Sequence, residues 1–291
     1  MAEKEKQAPG KPNPRVSTKT AAAPAAPAAP SSTTYGKHAT MPVLAADNYA
    51  EVVLPDITEF NPDDIKLDAT IVAIGKRRTG KSWVFRNLMY LMKDKFEAGI
   101  VISQTDELNK FWQQYIPSKY IYPKYQPEIL DAVFQRQKKI LNDKNLTDEE
   151  KEKKAPFFIL LDDVISDQRL RYDANLMELF VAGRHYKLFV LITTQYAKAI
   201  TPTIRGNTDY CFLMKTVQKV QRECLWEDFG DFLTKDAFAQ ILDAYTEDNE
   251  VLVIDTCPYF DSQYAAGYLS PWNFMWNALG DDRPQGLRLP F

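Results

Sequence analysis

Along the chain, short and almost wholly apolar runs alternate with longer stretches in which apolar positions recur every three or four residues. The runs are Thr70 to Ile74, Gly99 to Thr105, Phe157 to Asp163, Leu188 to Gln195, Asp209 to Lys215 and Glu250 to Asp255, two of them ending in polar residues. Runs of this length, rich in β-branched and aromatic residues, predict strands buried on both faces. Between them, Val84, Leu88, Leu91 and Met92 fall on one face of a helix, and further helices are predicted over Leu108 to Tyr115, Pro127 to Asn142, Val217 to Asp228 and Thr234 to Tyr245. Asp173 to Val181 is a core-facing helix with Gly183 as its C-terminal stop, and Thr147 with Glu150 forms a capping box. Ile116 to Gln126, dense in Tyr and Pro, is a surface excursion. Strand alternating with helix in this way predicts an α/β fold around a mostly parallel sheet.

One strand-to-helix junction carries chemistry. IVAIGKRRTGKS, Ile71 to Ser82, fits G-x-x-x-x-G-K-[ST], the phosphate-cradling loop of P-loop NTPases. Gly75 and Gly80 let the backbone curl, so that N–H groups of Gly75, Lys76, Arg77, Arg78, Thr79, Gly80, Lys81 and Ser82 face phosphate oxygens. Lys81 is placed for the β- and γ-phosphates and Ser82 for Mg²⁺. The helix that follows adds the partial positive charge of its N-terminus.

Two further strands end in polar residues, at the edge where open α/β sheets hold their ligands. FFILLDD, Phe157 to Asp163, places Asp162 to hold Mg²⁺ and Asp163 to polarise an attacking water. An apolar run ending in two acids is common by itself, and the upstream P-loop gives it the catalytic reading. Gln195, after Thr193 and Thr194, senses the γ-phosphate, orients the water, or is simply the polar end of a strand.

Composition narrows the class. With 45% hydrophobic and 26% charged residues the chain of 291 can bury a full core, and its net charge of −3 gives no overall basic signature. Cys211, Cys224 and Cys257 lie far apart, and His38 and His185 offer no metal-ligand spacing, so reduced thiols are expected. No apolar run is long enough for a membrane span, and no membrane insertion is expected. Residues 1–42 are rich in Ala, Pro and Lys and predict a disordered tail; 43–255 form the P-loop domain; 256–291 are an aromatic and proline-rich segment packed on the domain or on a neighbour.

GKRRTGKS, FFILLDD and AGRHYKLFVLITTQ followed by PTIRGNTDY together resemble the DNA-packaging ATPases of large nucleocytoplasmic DNA viruses, the poxvirus-type branch of the FtsK/HerA superfamily. The resemblance runs from about Thr70 to Lys215. It implies a RecA-like sheet with the Asp162 and Gln195 strands beside the P-loop strand, a homo-oligomeric ring, and ATP with Mg²⁺ as cofactors. It also implies translocation of double-stranded DNA into a capsid, with capsid or portal-vertex proteins as partners, in the host cytoplasm or the virion. Arg184 matches the position of an arginine finger reaching a neighbouring subunit, and Arg205 is the reserve. The family usually carries Glu where this chain has Asp163, shorter by one methylene. Arg169 and Arg171, with Lys215, Lys219 and Arg222 behind them, are candidate DNA contacts. A P-loop phosphotransferase acting on a small molecule and a nucleotide-binding assembly protein of the particle are the alternatives; a GTPase is disfavoured because no N-K-x-D motif is present.

Overall fold

The computed structural model describes residues 57, 59–170, 172–248 and 250–256, together with the backbone of 268–273. The expected tail over 1–42, most of the segment 256–291, Arg171 and Cys257 lie outside the described residues.

Eight strands form one sheet: β1 (Thr70–Ile74), β2 (Ala98–Ser103), β3 (Ile121–Tyr122), β4 (Phe157–Asp162), β5 (Leu188–Thr194), β6 (Tyr210–Leu213), β7 (Glu250–Asp255) and β8 (Tyr268–Asn273). Their order is β3-β2-β4-β5-β1-β6-β7-β8. The first six are mutually parallel, and β7 and β8 close one edge antiparallel. The Gln195 strand β5 is the direct neighbour of β1. The Asp162 strand β4 lies one place further out, with β5 between, so the expectation that both flank β1 holds for β5 alone.

The helices are α1 (Lys81–Leu91), α2 (Asp106–Asn109), α3 (Pro127–Leu141), α4 (Asp148–Lys154), α5 (Ala174–Ala182), α6 (Pro202–Arg205), α7 (Lys219–Phe229) and α8 (Lys235–Ala244). Because successive side chains of a strand point to opposite faces, the sheet carries two cores. Val72, Ile74, Ile159, Leu161, Val190 and Ile192 pack with residues of α3, α5, α7 and α8. Ile71, Ala73, Phe158, Leu160, Phe189 and Leu191 pack with α1 and Trp112 on the other face.

Two local expectations are corrected. The buried stripe of α1 is Val84, Phe85, Leu88 and Met89, continued by Met92, which leaves Leu91 at its margin and 50% exposed. The helix expected over Leu108 to Tyr115 is interrupted: α2 stops at Asn109, Lys110 is left-handed (φ 49°), and a 3-10 turn follows at Trp112–Gln114. Its cause is the Asp106 carboxylate, which takes the Trp112 backbone N–H at 2.6 Å and turns the chain inward. Gly183 is the C-cap of α5, as expected, though right-handed (φ −51°); it leads into a 3-10 turn, and the left-handed residue is Lys187. The capping box forms in full, with Thr147 and Glu150 satisfying each other's backbone N–H groups.

Candidate nucleotide site

The loop from Gly75 to Gly80 leaves the carboxyl end of β1, where the Gly75 N–H donates to Thr194 O at 3.1 Å. Gly80 has φ 91°, a conformation open to glycine, and it opens α1 without a side-chain cap on the first-turn N–H groups. A Cβ on Gly75 would lie 2.5 Å from the Met214 Cβ and 2.7 Å from the Thr79 hydroxyl, so the tight turn requires its absence. The Thr79 hydroxyl donates to Lys76 O at 2.8 Å. The Lys81 ammonium donates to Gly75 O at 2.5 Å and to Lys76 O at 2.8 Å, folding its stem back along the loop.

The cross-strand register builds the opposite wall. Ser103, Asp162 and Thr193 are mutual partners on β2, β4 and β5, on the face that also carries α1. Asp162 therefore sits between two hydroxyls: Thr193 Oγ1 donates to its Oδ1 at 2.7 Å and Ser103 Oγ to its Oδ2 at 3.0 Å. The indole Nε1 of Trp112 donates to the same Oδ2 at 3.0 Å. Asp163 has φ 59°, and its N–H donates to Thr193 Oγ1 at 2.9 Å. Its carboxylate accepts from Gln195 Nε2 at 2.6 Å and from the Ser166 hydroxyl. The main chain of Gln195 is tied to α7, since Gln221 Nε2 donates to Gln195 O at 3.3 Å.

These walls enclose a cleft of about 460 Å³, lined by Arg77, Arg78, Gly80, Lys81 and Ser82 on one side and by Asp162, Asp163, Thr193 and Gln195 on the other. Gly75, Lys76 and Thr79 shape the loop through the bonds above without lining the cleft. Burial pushes the Lys81 pKa below its ordinary value, against the pull of Asp163 and then Asp162, and Arg77 adds to the lowering. The donor set suits a hard divalent cation: the Ser82 hydroxyl and the Asp162 carboxylate offer oxygen only, and no group of three or more His, Cys, Asp or Glu among the described residues is placed to hold a metal ion by itself. Mg²⁺ is commonly held by one or two carboxylates plus substrate phosphates, so the residues fit that ion.

The cleft has a third side that the sequence reading missed. Thr105, Asn109, Phe111 and Trp83 also line it. The signal was available, because the segment after β2 leaves the same carboxyl edge as the other three loops. Two arginines lie apart from the cleft. Arg184 is exposed, in the turn Gly183–Tyr186 that leads into the start of β5. Arg205, at the end of α6, is ion-paired with Asp228 of α7. Of the candidate DNA contacts, Arg169 pairs with Asp167, Lys215 with Glu247 and Arg222 with Asp243.

A mostly parallel sheet with a phosphate loop after β1 and acids at the end of β4 defines a P-loop NTPase fold. The chain belongs to the family described as Poxvirus A32 protein, which it matches over residues 58–255. Protein L437 of Acanthamoeba polyphaga mimivirus is 32% identical over 203 residues, covering 69% of this chain and 71% of that protein. Protein 015R of Frog virus 3 (isolate Goorha) is 24% identical over 249 residues, covering 78% and 76%. In fold, the chain is similar to the genome packaging NTPase B204 from Sulfolobus turreted icosahedral virus 2 in complex with AMPPCP, with a TM-score of 0.50 at 14% identity, over 72% of this chain and 100% of that one. The sulfate complex of the same NTPase gives a TM-score of 0.51.

Proposed function

We propose that this chain hydrolyses ATP and couples the cycle to moving double-stranded DNA into a viral particle. The observation that carries the reading is the convergence of Lys81 and Ser82 with Asp162, Asp163 and Gln195, from three strands, on one cleft. Family membership supports it, and so does the likeness in fold to a genome packaging NTPase. Lys81 exchanges its loop carbonyls for β- and γ-phosphate oxygens. Ser82 and Asp162 hold Mg²⁺, which when bound neutralises charge on those phosphates. Asp163 takes a proton from the attacking water, and Gln195, hydrogen-bonded to Asp163, orients that water. The shorter reach of Asp relative to Glu is met by the turn at Asp163, which swings its carboxylate toward the cleft. Arg184 acts on a neighbour's site in a ring, while Arg205 is held by Asp228 within its own subunit. Capsid or portal-vertex proteins are the docking partners, in the host cytoplasm or the virion.

Turnover measured with and without duplex DNA tests the reading. Lys81→Ala should abolish hydrolysis and weaken nucleotide binding. Asp163→Asn should still bind ATP but hydrolyse it on the order of 10²- to 10⁴-fold more slowly. DNA should stimulate the wild type with no small-molecule acceptor present. Turnover that needs such an acceptor would point to a phosphotransferase, and normal turnover by Asp163→Asn would remove Asp163 from the role of base.

A further inference from the structure

The segment between β2 and β3 carries a tryptophan that the proposed chemistry does not use. Trp112 is 2% exposed, and its Nε1–H donates to Asp162 Oδ2 at 3.0 Å. Its backbone is held in turn, because Trp112 N donates to Oδ1 of Asp106 at 2.6 Å, and Asp106 is itself 1% exposed. The other two donors to Asp162 are hydroxyls, which rotate and can accept as well as donate; Ser103 Oγ also lies 3.4 Å from Thr105 Oγ1. An indole N–H donates only, from a planar ring with no freedom about the N–H bond. The ring is wedged in the α1-face core, with Phe111 edge-on at 4.9 Å. Ser103, Thr193 and Trp112 together occupy three of the roughly four lone-pair positions of a carboxylate, and the indole is the one donor whose direction is fixed by packing.

We propose that Trp112 is a positioning residue: it sets the plane of the Asp162 carboxylate so that its remaining lone pair serves a divalent cation, and Asp106 anchors it. The proposal rests on the reading of Asp162 as a metal-holding residue. It also explains the broken helix after β2, since a continuous helix would leave Trp112 without the inward turn that the Asp106 carboxylate enforces. Partners that orient a metal-holding group commonly account for 10- to 100-fold in metal affinity.

The test reads metal binding directly, with Mn²⁺ as a paramagnetic probe followed by EPR in the presence of a non-hydrolysable ATP analogue. Trp112→Phe keeps an aromatic ring and deletes the N–H. Mn²⁺ should bind about 10-fold more weakly, with nucleotide binding in EDTA unchanged. In an Asp162→Asn background, Trp112→Phe should add no further loss, because its effect passes through Asp162. If Trp112→Phe fails to fold, benzothienylalanine at position 112 keeps the bicyclic shape of the buried ring, deletes the N–H, and should weaken Mn²⁺ in the same direction. Wild-type Mn²⁺ affinity in folded Trp112→Phe, or in the benzothienylalanine protein where that has to serve, overturns the proposal. So does an equal loss in the Asp162→Asn background. Failure of wild-type protein with the analogue to bind Mn²⁺ at all would instead overturn the reading of the site beneath it.

Discussion

Two adjacent acids on a strand should point to opposite faces of the sheet, so Asp162 and Asp163 could not both enter one cleft if β4 simply continued. The chain solves this by ending the strand at Asp162 and placing Asp163 at φ 59°. A left-handed residue costs roughly 1–2 kcal/mol, less for Asp than for most, and the bonds to Gln195, Ser166 and Thr193 hold it there. The acids were readable in the sequence as the end of an apolar run; the turn that unites them was not, because it depends on Thr193, thirty residues later and in register with Asp162 only once the sheet forms. The charge of Asp163 acts on Lys81 across the cleft. It is the larger of the two acid influences that hold up the Lys81 pKa against burial. Asparagine tolerates the left-handed conformation, so Asp163→Asn should keep the fold while lowering the Lys81 pKa further. Nucleotide binding should then fade at a lower pH in the variant than in the wild type as pH is raised, because the ammonium is lost earlier. An NMR titration of the Lys81 side chain checks the sign; an unchanged titration would mean that the two groups do not couple.

Among the elements, those with a strong apolar pattern or a recognisable cap were legible: β7, α5, and α4 with its capping box. The segment after β2 was not, since a buried carboxylate overrides local helical pattern there. Also invisible was the reason for a glycine inside β2. Gly99 pairs in register with Phe158, and a Cβ at Gly99 would stand 2.0 Å from the Phe158 ring. That ring is fully buried and edge-on to Phe96 at 5.9 Å, so it has little room to yield. Gly99→Ala should therefore destabilise the fold by about 1–3 kcal/mol, as overpacked cores do. Gly99 lies toward the amino end of β2, away from the cleft, so the site should survive: denaturant midpoints should fall while nucleotide affinity at low temperature stays unchanged. A wild-type midpoint would show that the two cores adjust more freely than their packing suggests.

At the scale of the whole molecule, the sheet has two unlike edges. The cleft occupies the carboxyl edge, where Leu108, Tyr172, Tyr196, Val217 and Val220 are also exposed, on the segments after β2, β4, β5 and β6. Arg184 belongs to the amino edge: it precedes β5 by a single turn, and Phe157 N donates to Lys187 O beside it. The seven residues of β5, at about 3.3 Å each, separate it from its own Gln195 by about 20 Å, too far for an arginine side chain to span. Any action on a γ-phosphate would therefore be on another copy, which we propose sets its carboxyl edge against this amino edge in a head-to-tail contact of the kind that closes rings. Val181, exposed three residues before Arg184 on α5, gives that edge apolar surface of its own. Arg184 has no ion pair among the described residues, unlike Arg205. We predict that Arg184→Ala lowers turnover by about 10³-fold or more, as loss of such a finger does, without weakening nucleotide binding to its own P-loop. Mixing decides between the two geometries. Arg184→Ala and Lys81→Ala chains, each inactive alone, should together recover up to about a quarter of wild-type turnover, since that fraction of random head-to-tail contacts pairs an intact loop with an intact arginine. If Arg184 served its own subunit, every chain in the mixture would carry one defect or the other and no activity would return. Rings shown by mass to be mixed yet inactive would exclude Arg184 as the residue that crosses the interface.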